Sequence, residues 1–533
     1  MTIGIINTGG TISSIGEPLH PMSAKDFANA SIKILNPVIK QAFPTAELDY
    51  ITDLEFPESK SKTLDSTNLQ PTDWCRMAKY ILDHYEKYEA GIILHGTDTM
   101  DFSGSALPFL LSAFDADGIP TAVLSKAIII TRSEERRFYE TNNDPNALNL
   151  RYNTDAFQNF CGAVASAQAG IPEVCVFFHS YLFRGNRVLK TNASEFDAFS
   201  SPNFPPLAES GIDFTLYSEH VLPTPVSYEV SLDNPQVLLD VQQQLDYIMA
   251  HIDSQPVMQF SAFPAWYVMK DPTDPNSQAK ALLADLIDAV VAKGIKGLIL
   301  ESYGEGNFPS GDPDNPKSGA IYQALKRANE SGIVIIDCTQ VISGVVNDSA
   351  YASGAWLSDP EINALNSLDM TSMAAFDKLM ILLTIAEYRG WDLATIKKLV
   401  QMDLRGEMMD ISRLDSRGRG FLLGGEYLST LDGSATLVND PNEGPLLIDN
   451  KTGDTLWCPI ANPSADDLPG RLVMQNDGNL VFYSQNNHPM WASNTGVPTG
   501  ASSMLILSGT HDASSIRLEV YDYSNRMVTA ILY

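Results

Sequence analysis

The stretch IGIINTGGTIS, residues 3–13, joins an apolar run to a glycine-rich turn and decides the fold of the first part of the chain. The run is continuous rather than alternating between apolar and polar residues, which is typical of a strand buried inside a parallel sheet. The turn that follows offers two hydroxyls and two glycines within four residues. Such a turn is more often structural than catalytic, so both interpretations stay open at this point.

Apolar runs of the same kind recur in AGIILHG (90–96) and EVCVFFH (173–179). Between them, PTDWCRMAKYILDHYEKY (71–88) and SGSALPFLLSAF (103–114) space their apolar residues three and four apart, which indicates helices packed on a sheet. We therefore predict a doubly wound α/β domain over residues 1–200. In such domains ligands bind at the carboxyl ends of the strands.

Three further regions follow this domain. The proline-bearing stretch SPNFPPLAESG (201–211) opens a predicted linker over 201–225. Strand-like and helix-like runs resume over 226–412, which predicts a second doubly wound α/β domain, so that the fold class is α/β. Over 416–533 the helical periodicity ends and turn-rich strands recur, with Trp457 and Trp491 at repeat-like spacing, so we expect an all-β domain of about three repeats.

Charge and cysteine content exclude several classes of protein. Thirty-five basic and 65 acidic side chains give a net charge of 35 − 65 = −30, which repels nucleic acid and anionic membranes. The five cysteines form no C-x-x-C pair and the eight histidines lack ligand spacing, so we predict no disulfide framework, no metal site and no cofactor. The absence of a signal-peptide pattern and of any apolar run near ~18 residues predicts a cytoplasmic protein.

A second polar turn favours a catalytic role for this region. HGTDTM (95–100) places Thr97 and Asp98 at the end of the strand-like run 90–94, where two strand ends can converge on one pocket. A hydroxyl, a carboxylate and glycine N–H groups are what acyl transfer needs. Lys190 could pair with Asp98 and take up a proton, although a lone lysine after a strand is usually a solvated charge.

Five segments recur in a fixed order along the first part of the chain: TGGTI (8–12), LHGTDTM (94–100), FRGN with KTNASEFDAFSSPN (183–203), SYGEGN (302–307) and LRGE (404–407). In this order they resemble the L-asparaginases of the bacterial kind, and they are closer to the cytoplasmic type I than to the secreted type II. The resemblance covers about residues 1–412.

The resemblance implies specific roles at the site. It implies that Thr11 is the nucleophile and that Thr97, Asp98 and Lys190 form a second triad. The backbone N–H groups of Gly10 and Thr97 would form the oxyanion hole. LDSTN (64–68) matches the family's substrate loop, so Ser66 and Thr67 would hold the α-carboxylate of L-asparagine while Asp98 holds its α-amine.

Assembly and departures from the family follow from the same comparison. Asn307 matches the residue that family members contribute across a subunit interface, which implies a homo-oligomer, either a dimer or a tetramer.

The lid tyrosine of the family is missing from SSIGEPLHPM (13–22), where Leu19 stands instead. LSKA (124–127) replaces the family's T-G-S-Q after the third strand, and residues 128–154 have the character of an insertion in which Tyr139 or Tyr152 could supply the lid hydroxyl.

The stretch QNDGNLVFY (475–483) carries a polar set at alternate positions. On one strand these side chains would share a face suited to sugar hydroxyls, although alternation alone favours an ordinary solvated face. The stretch matches the Q-x-D-x-N-x-V-x-Y motif of bulb-type, mannose-specific lectins, which implies a β-prism over 416–533 with one intact site and a mannose-type glycan as partner. The residues concerned are Gln475, Asp477, Asn479, Val481 and Tyr483.

Three functions are therefore open. The first is an L-asparaginase that forms a threonyl acyl-enzyme and carries a lectin-like module, with glutaminase as a side activity. The second is a carbohydrate-binding protein whose asparaginase-like part has lost activity. The third is an amidotransferase subunit that feeds ammonia to aminoacyl-tRNA synthesis, which the net charge of −30 argues against.

Overall fold

The computed structural model divides the chain into two compact units, residues 1–220 with 231–408 and residues 221–230 with 409–533. The structure describes the following residues: 1–16, 19–135, 137–141, 144–225, 227–274, 276–348, 350–417, 419–431, 433–497, 502–509, 513–522 and 527–533. Within these residues no helix is both long enough and apolar enough to cross a membrane.

An eight-stranded sheet forms the centre of the first unit. Five of its strands are parallel, and the four inner ones of these are apolar because both faces are covered. The fifth parallel strand, Glu47–Tyr50, is polar and forms one edge, while three antiparallel strands complete the other edge. The strands, in sheet order, are Phe214–Leu216, Ala208–Ser210, Tyr181–Arg184, Val174–Phe178, Ala127–Thr131, Ala90–Leu94, Thr2–Asn7 and Glu47–Tyr50.

Part of the predicted linker over 201–225 belongs to this sheet. Ala208–Ser210 pairs with Tyr181–Arg184, and Phe214–Leu216 pairs with Ala208–Ser210. The proline-rich spacing hides these strands because each is only three residues long, too short to show an alternating pattern.

A second, four-stranded parallel sheet lies in the same unit, so the α/β interpretation is confirmed. Its strands, in order, are Val257–Ser261, Gly297–Ser302, Val334–Thr339 and Leu365–Asn366. Helices cover the sheets with their apolar faces, as Pro71–Asp83 does with Trp74, Met77 and Ile81. The α-helices are Ala24–Ala30, Asn36–Ala42, Pro71–Asp83, Met100–Leu110, Asp155–Gln168, Pro235–His251, Leu282–Val291, Ala320–Glu330, Ala352–Ala355, Ser372–Arg389 and Leu393–Val400.

Two of the family-like segments lock into each other. The guanidinium of Arg187 donates to the carbonyl oxygen of Gly406 at 2.6 Å, and the amide of Asn186 donates to that of Arg405 at 2.9 Å. Beside them the ammonium of Lys378 and the carboxylate of Glu407 form a fully buried ion pair at 2.6 Å. We call residues 184–187, 404–407 and Lys378 the interlock. It connects the edge of the first sheet to the last helical segments of the unit.

The second unit contains three four-stranded antiparallel sheets, and the structure shows no α-helix in its described part. Alternate residues of the strands point into one apolar core, as Leu437, Leu472 and Leu505 do from the three sheets. The sheets are Arg413–Asp415, Ser503–Ser508, Arg517–Asp522 and Met527–Ile531; Phe421–Leu422, Arg471–Met474, Leu480–Tyr483 and Pro489–Ala492; and Tyr427–Ser429, Ala435–Asp440, Gly444–Asp449 and Thr455–Trp457.

Candidate active site

Three loops meet at the carboxyl ends of the neighbouring strands Thr2–Asn7 and Ala90–Leu94. The N–H of Thr8 donates to the carbonyl of Leu94 at 3.0 Å, which ties the first loop to the second. The N–H of Leu64 donates to the carbonyl of Thr8 at 2.6 Å, and Gly9 forms a bridge with Leu64, which ties in the third loop. The parallel pairing of the strands therefore brings the segments 8–13, 64–68 and 95–98 together, as the strand order requires.

Glycines allow these loops to approach each other. Gly10 has φ of 76°, and a Cβ built there would lie 2.5 Å from the Cα of Gly96. A Cβ on Gly96 would lie 2.3 Å from the hydroxyl oxygen of Ser66. Any larger residue at either position would push the loops apart, so both glycines are required by packing.

Thr11 is the first residue of a short 3-10 turn, Thr11–Ser13, and its side chain is half-buried. The hydroxyl of Ser14 donates to the carbonyl of Gly10 at 2.7 Å and fixes the start of the turn. No hydrogen bond of the Thr11 hydroxyl occurs within the described part of the chain. Its hydroxyl is thus free to meet a ligand.

The side chains of Thr97, Asp98 and Lys190 form a hydrogen-bonded chain. The ammonium of Lys190 lies 2.9 Å from a carboxylate oxygen of Asp98 and 3.4 Å from the hydroxyl of Thr97, which itself donates to Asp98 at 3.1 Å. The bond from Lys190 lowers the pKa of Asp98 below its usual range, and Thr97 adds to the effect. The sequence leaves Lys190 open between a partner of Asp98 and a solvated charge; the geometry pairs it with Asp98.

Ser66 and Thr67 differ in their surroundings. Ser66 is buried, and its hydroxyl accepts the N–H of Asp98 at 3.1 Å, so it lies directly beside the Asp98 loop. Thr67 is exposed, and its hydroxyl donates to Asp65 at 3.2 Å. Both lie on the third loop of the site, and among the hydrogen bonds of the described residues those of Ser66, not those of Thr67, reach the second loop.

Sequence analysis missed the buried groups beneath these loops. His95 is fully buried between the carbonyl of Gly96 and the hydroxyl of Ser103, both at 2.8 Å. Burial lowers its pKa to about 4, so the ring is neutral at pH 7. Asp101 accepts the backbone N–H of Lys190 at 3.4 Å and so holds the strand that carries this lysine. His95 stands in the segment LHGTDTM, but that pattern does not indicate its burial, and no periodic or motif signal marks Asp101.

The loop after the strand Ala127–Thr131 lies elsewhere than the sequence indicates. AIIIT, residues 127–131, is itself the strand, so LSKA leads into it, with Ala127 as its first residue, and does not follow it. The residue that follows the strand is Arg132, which is fully buried. The error arises because LSKA and the apolar run are adjacent, and the polar character of LSKA resembles the end of a strand.

The candidate lid tyrosines lie in and beside a hairpin formed by Phe138–Thr141 and Asp144–Leu150. Tyr139 is 39% exposed with the guanidinium of Arg151 5.9 Å from its ring centre, and Tyr152 is 60% exposed and contacts Phe157. Neither hydroxyl forms a hydrogen bond to the loops of the site within the described residues. The question of the lid hydroxyl stays a prediction.

Asn307 lies in the loop that follows the strand Gly297–Ser302 of the second sheet. Its side chain accepts the hydroxyl of Ser353 at 2.7 Å, and its backbone pairs with Tyr303. All of its hydrogen bonds in the described residues stay within this loop region. The structure of one chain therefore brings together every predicted residue of the amidohydrolase site except Asn307.

The lectin-like stretch 475–483 is not one strand. Arg471–Met474 and Leu480–Tyr483 are paired strands, and residues 475–479 form the turn between them, with Gly478 at φ of 89°. The single-strand prediction was wrong because the Asn-Asp-Gly sequence favours a tight turn. The side chains of Gln475 and Tyr483 nevertheless meet, since the amide of Gln475 donates to the hydroxyl of Tyr483 at 2.8 Å.

The other residues of this stretch are already partly engaged. A carboxylate oxygen of Asp477 accepts the N–H of Asn479 at 3.0 Å, and the amide oxygen of Asn479 accepts the hydroxyl of Ser493 at 3.1 Å. Val481, predicted to meet a sugar ring, is only 3% exposed. The polar groups are therefore held in place, while the apolar contact of the predicted site is covered.

Two family models match this chain. The family described as "Asparaginase, N-terminal" matches residues 2–122 and 149–222, and "Glutaminase/Asparaginase C-terminal domain" matches residues 280–399. The unmatched residues 123–148 include most of the predicted insertion.

Individual relatives cover different shares of the chain. "L-asparaginase 1" of Escherichia coli K12 is 32% identical over 346 residues, which are 65% of this chain and 82% of that protein. "60 kDa lysophospholipase" of Mus musculus is 30% identical over 76% of this chain, which spans only 59% of the mouse protein.

Among solved structures, L-asparaginase I of Vibrio cholerae is 26% identical, with a TM-score of 0.51 over 76% of this chain and 99% of its own. The thermostable L-asparaginase of Thermococcus kodakarensis, 22% identical with a TM-score of 0.53 over 77% of this chain and 99% of its own, shares the fold.

Proposed function

The chain belongs to the asparaginase family, and from this premise we propose that its first unit hydrolyses L-asparagine to L-aspartate and ammonia through a threonyl acyl-enzyme. The observation that carries the proposal is the hydrogen-bonded chain of Thr97, Asp98 and Lys190 beside the loop that holds Thr11. A free hydroxyl and a lysine-linked hydroxyl at one strand edge provide a nucleophile and a path for its proton.

The first half-reaction transfers the acyl group. The hydroxyl oxygen of Thr11 attacks the side-chain amide carbon while its proton passes to the oxygen of Thr97, and Thr97 gives its own proton to Lys190 in the neutral amine form. The N–H groups of Gly10 and Thr97 stabilise the negative oxygen of the tetrahedral intermediate. The C–N bond then breaks, the nitrogen takes up a proton, and ammonia leaves an ester on Thr11.

The second half-reaction hydrolyses the ester and regenerates the free enzyme. A water molecule loses a proton to the same chain of groups and attacks the ester carbon. The C–O bond to Thr11 breaks, and the threonine oxygen takes the proton back. Ser66 and Thr67 would hold the α-carboxylate of the substrate, and the carboxylate of Asp98 would hold its α-ammonium.

Assembly completes the proposal: the active form is a homo-oligomer, in which Asn307 serves the site of a second copy. Support comes from the strand ends of the second sheet, where the strand Gly297–Ser302 precedes Asn307. Apolar side chains in the loop after Val257–Ser261 are exposed, and the amide of Gln340 donates to the carbonyls of Ala262 and Glu301, which places these loops at one edge of the second sheet. The exposed residues are Phe263 (41%), Trp266 (54%), Tyr267 (43%), Val268 (56%) and Met269 (48%).

Five exposed apolar residues on one loop favour a protein partner over water. A second copy of this chain is the partner that would also use Asn307. Light scattering tests this: we expect a dimer or tetramer, and a fully active monomer would contradict the assembly.

Ammonia release from L-asparagine and L-glutamine, measured with wild-type protein and Thr11→Ala, tests the catalytic proposal. We expect wild-type turnover of asparagine and a loss of nearly all turnover in the variant, with unchanged thermal unfolding because a half-buried hydroxyl contributes little to the core. Lysophosphatidylcholine serves as the control substrate, and no fatty-acid release is expected. A folded wild-type protein without ammonia release would instead support a binding protein of asparaginase-like fold.

For the second unit we propose weak binding of a mannose-type glycan on a β-prism fold. Support comes from the contact of Gln475 with Tyr483 and from the held side chains of Asp477 and Asn479. A shallow polar site of this kind binds one mannose with a Kd on the order of mM. Calorimetry with mannose and a branched mannan, comparing wild type with Asp477→Ala, tests it; wild-type protein that binds neither sugar would refute it.

A further inference from the structure

Arg471 lies beside a tyrosine of the proposed glycan site. In the pairing of Arg471–Met474 with Leu480–Tyr483, Arg471 lies directly opposite Tyr483, and residues that lie opposite each other share one face of a sheet. The central carbon of the guanidinium lies 5.2 Å from the centre of the tyrosine ring. The hydroxyl of this ring accepts the amide of Gln475 at 2.8 Å. A cation therefore lies against a side chain that is proposed to bind sugar.

One edge of this guanidinium is unused. Nη1 of Arg471 donates to the amide oxygen of Asn487, whereas Nε and Nη2 form no hydrogen bond and no ion pair within the part of the chain that the structure describes. These two N–H groups lie on the same edge of the planar guanidinium and can bind two oxygens of one acid. Arg327 uses the same pair of atoms to bind Asp288, at 3.1 and 2.6 Å. Arg471 therefore offers a free fork that fits an oxyanion.

The corresponding position of another sheet in the same unit carries no charge. Thr436 occupies it, on the strand Ala435–Asp440, which like the strand of Arg471 is second in its four-stranded sheet. The hydroxyl of Thr436 accepts the side-chain amide of Asn450 at 2.8 Å. Asn450 follows the third strand of its sheet, and Asn487 follows the third strand of the other. A neutral hydroxyl thus makes the bond to the asparagine, so the fold does not require a cation at this position.

We propose that Arg471 makes the site selective for phosphorylated mannose: its free edge binds the phosphate while the neighbouring polar side chains bind the sugar hydroxyls. This inference rests on the proposed glycan binding and names the class of glycan. A phosphate presents several oxygens to the guanidinium fork, and arginine binds them in a bidentate way that lysine does not reproduce. A neutral mannose leaves the fork in water.

The net charge of −30 acts against anions in general, but it acts weakly at this distance scale. At physiological salt the Debye length is only ~8 Å, so the nearest charges decide. Asp477, the carboxylate of the site, lies on the turn at the far end of the strand pair from Arg471. Asp466 and Asp467 accept Gln485 through their backbone carbonyls, and neither carboxylate pairs with Arg471 in the described ranges. The preference for phosphate should therefore be local and should weaken as salt rises.

The test compares mannose with mannose 6-phosphate on the full chain. Proton and phosphorus-31 NMR of the ligands measure dissociation constants in the mM range. At low salt we expect wild type to bind the phosphate ester about tenfold more tightly than mannose, the value of a charge-assisted bidentate contact at an accessible site. At about 1 M salt, where the Debye length is ~3 Å, this ratio should fall toward one.

Three variants assign the effect to the guanidinium. Arg471→Thr introduces the residue type of the corresponding position and removes the fork, so the ratio of the two affinities should fall to about one. Arg471→Lys keeps the charge without the fork and should keep only part of the preference. The matched control Arg517→Thr changes the net charge equally, but it removes an exposed arginine of another sheet that donates to the carbonyls of Ser514 and Ile516. This control should keep the wild-type ratio, and circular dichroism checks the folding of all three.

Equal affinity of the wild-type protein for mannose and its 6-phosphate would overturn the inference and leave the proposed glycan binding intact. Inorganic phosphate that competes as well as mannose 6-phosphate would also overturn it, because binding would then need no sugar. An equal loss of preference in Arg517→Thr would assign the effect to net charge and not to Arg471. Wild-type protein that binds neither sugar would refute the glycan proposal together with the inference. The wild-type ratio requires no substitution, so it decides even if Arg471→Thr does not fold.

Discussion

The three loops of the candidate site and the interlock both contain glycines and charged residues, but their polar atoms have opposite surroundings. At the site the side chains of Asp98 and Lys190 are 47% and 22% exposed and bond to each other and to a hydroxyl. In the interlock Lys378 and Glu407 are fully buried and bond to backbone groups as well as to each other. The polar side chains of the candidate site face solvent and are available for chemistry. Those of the interlock form hydrogen bonds to buried backbone groups and stabilise the fold.

The largest effect is expected from substitutions in the solvent-facing candidate site. Thr97→Ala and Lys190→Met should each lower kcat by about 10²–10⁴ because both lie on the proton path, while thermal unfolding changes little. The double variant should lose little more than either single variant, since the groups act as a unit. Steady-state ammonia release measures this, and fully multiplied losses would show that the two residues act independently.

A substitution in the buried interlock should change the free energy of unfolding and leave the catalytic rate unchanged. Lys378→Met leaves the carboxylate of Glu407 buried without its partner, so the free energy of unfolding should fall by about 3–5 kcal/mol. Urea unfolding measures the loss, and kcat per folded molecule should stay at the wild-type value. Adding Glu407→Gln removes the buried charge and should recover part of the stability. A drop in kcat without a drop in stability would erase the distinction between the two regions.

A glycine substitution sharpens the comparison within the site. Gly96→Ala would place a Cβ 2.3 Å from the hydroxyl oxygen of Ser66, so the loop that would hold the α-carboxylate must move. We expect KM for asparagine to rise by about tenfold, the cost of one charge-assisted hydrogen bond, with a smaller change in kcat. Gly211→Ala is the control and should leave KM unchanged, because a Cβ there would approach its nearest neighbour, the carbonyl oxygen of Asp213, only to 4.0 Å.

The smallest effect concerns acid. Burial opposes ionisation of Glu407, but the attraction of Lys378 and the backbone N–H groups of Leu404 and Arg405 lower its pKa from 4.5 to about 2. A carboxyl with a lowered pKa stabilises the fold fully above pH 4.5 and loses that contribution as pH falls toward 2. The free energy of unfolding, measured between pH 6 and 3, should therefore depend less steeply on pH in Glu407→Gln than in wild type. Identical slopes would contradict this prediction.

Sequence predicts best where one physical signal dominates. Continuous apolar runs identify the strands Thr2–Asn7, Ala90–Leu94 and Val174–Phe178, because buried parallel strands leave no other pattern. Since parallel strands end at one edge, the strand pattern alone groups the loops of Thr11 and Asp98 at one site. The pairing of Lys190 with Asp98 depends on side-chain geometry, which the pattern does not carry.

Prediction fails where geometry depends on distant packing. The turn at 475–479 has the pattern of a strand because alternation continues across a tight hairpin. LSKA was interpreted as a loop that follows a strand, although it leads into the strand Ala127–Thr131. A polar stretch beside an apolar run does not show by itself whether it comes before or after the strand. Arg132 and His95 give no signal, since burial of a single polar residue is set by its neighbours in space.

The division of the chain into a discontinuous second unit has a consequence for synthesis on the ribosome. Residues 221–230 belong with 409–533, yet the intervening 231–408 belong to the first unit. The nascent chain therefore exposes the first piece of the second unit long before its remainder emerges, and a fragment that begins at residue 409 lacks ten residues of its own fold. Expression of the second unit by itself calls for a circular permutation or a grafted copy of 221–230.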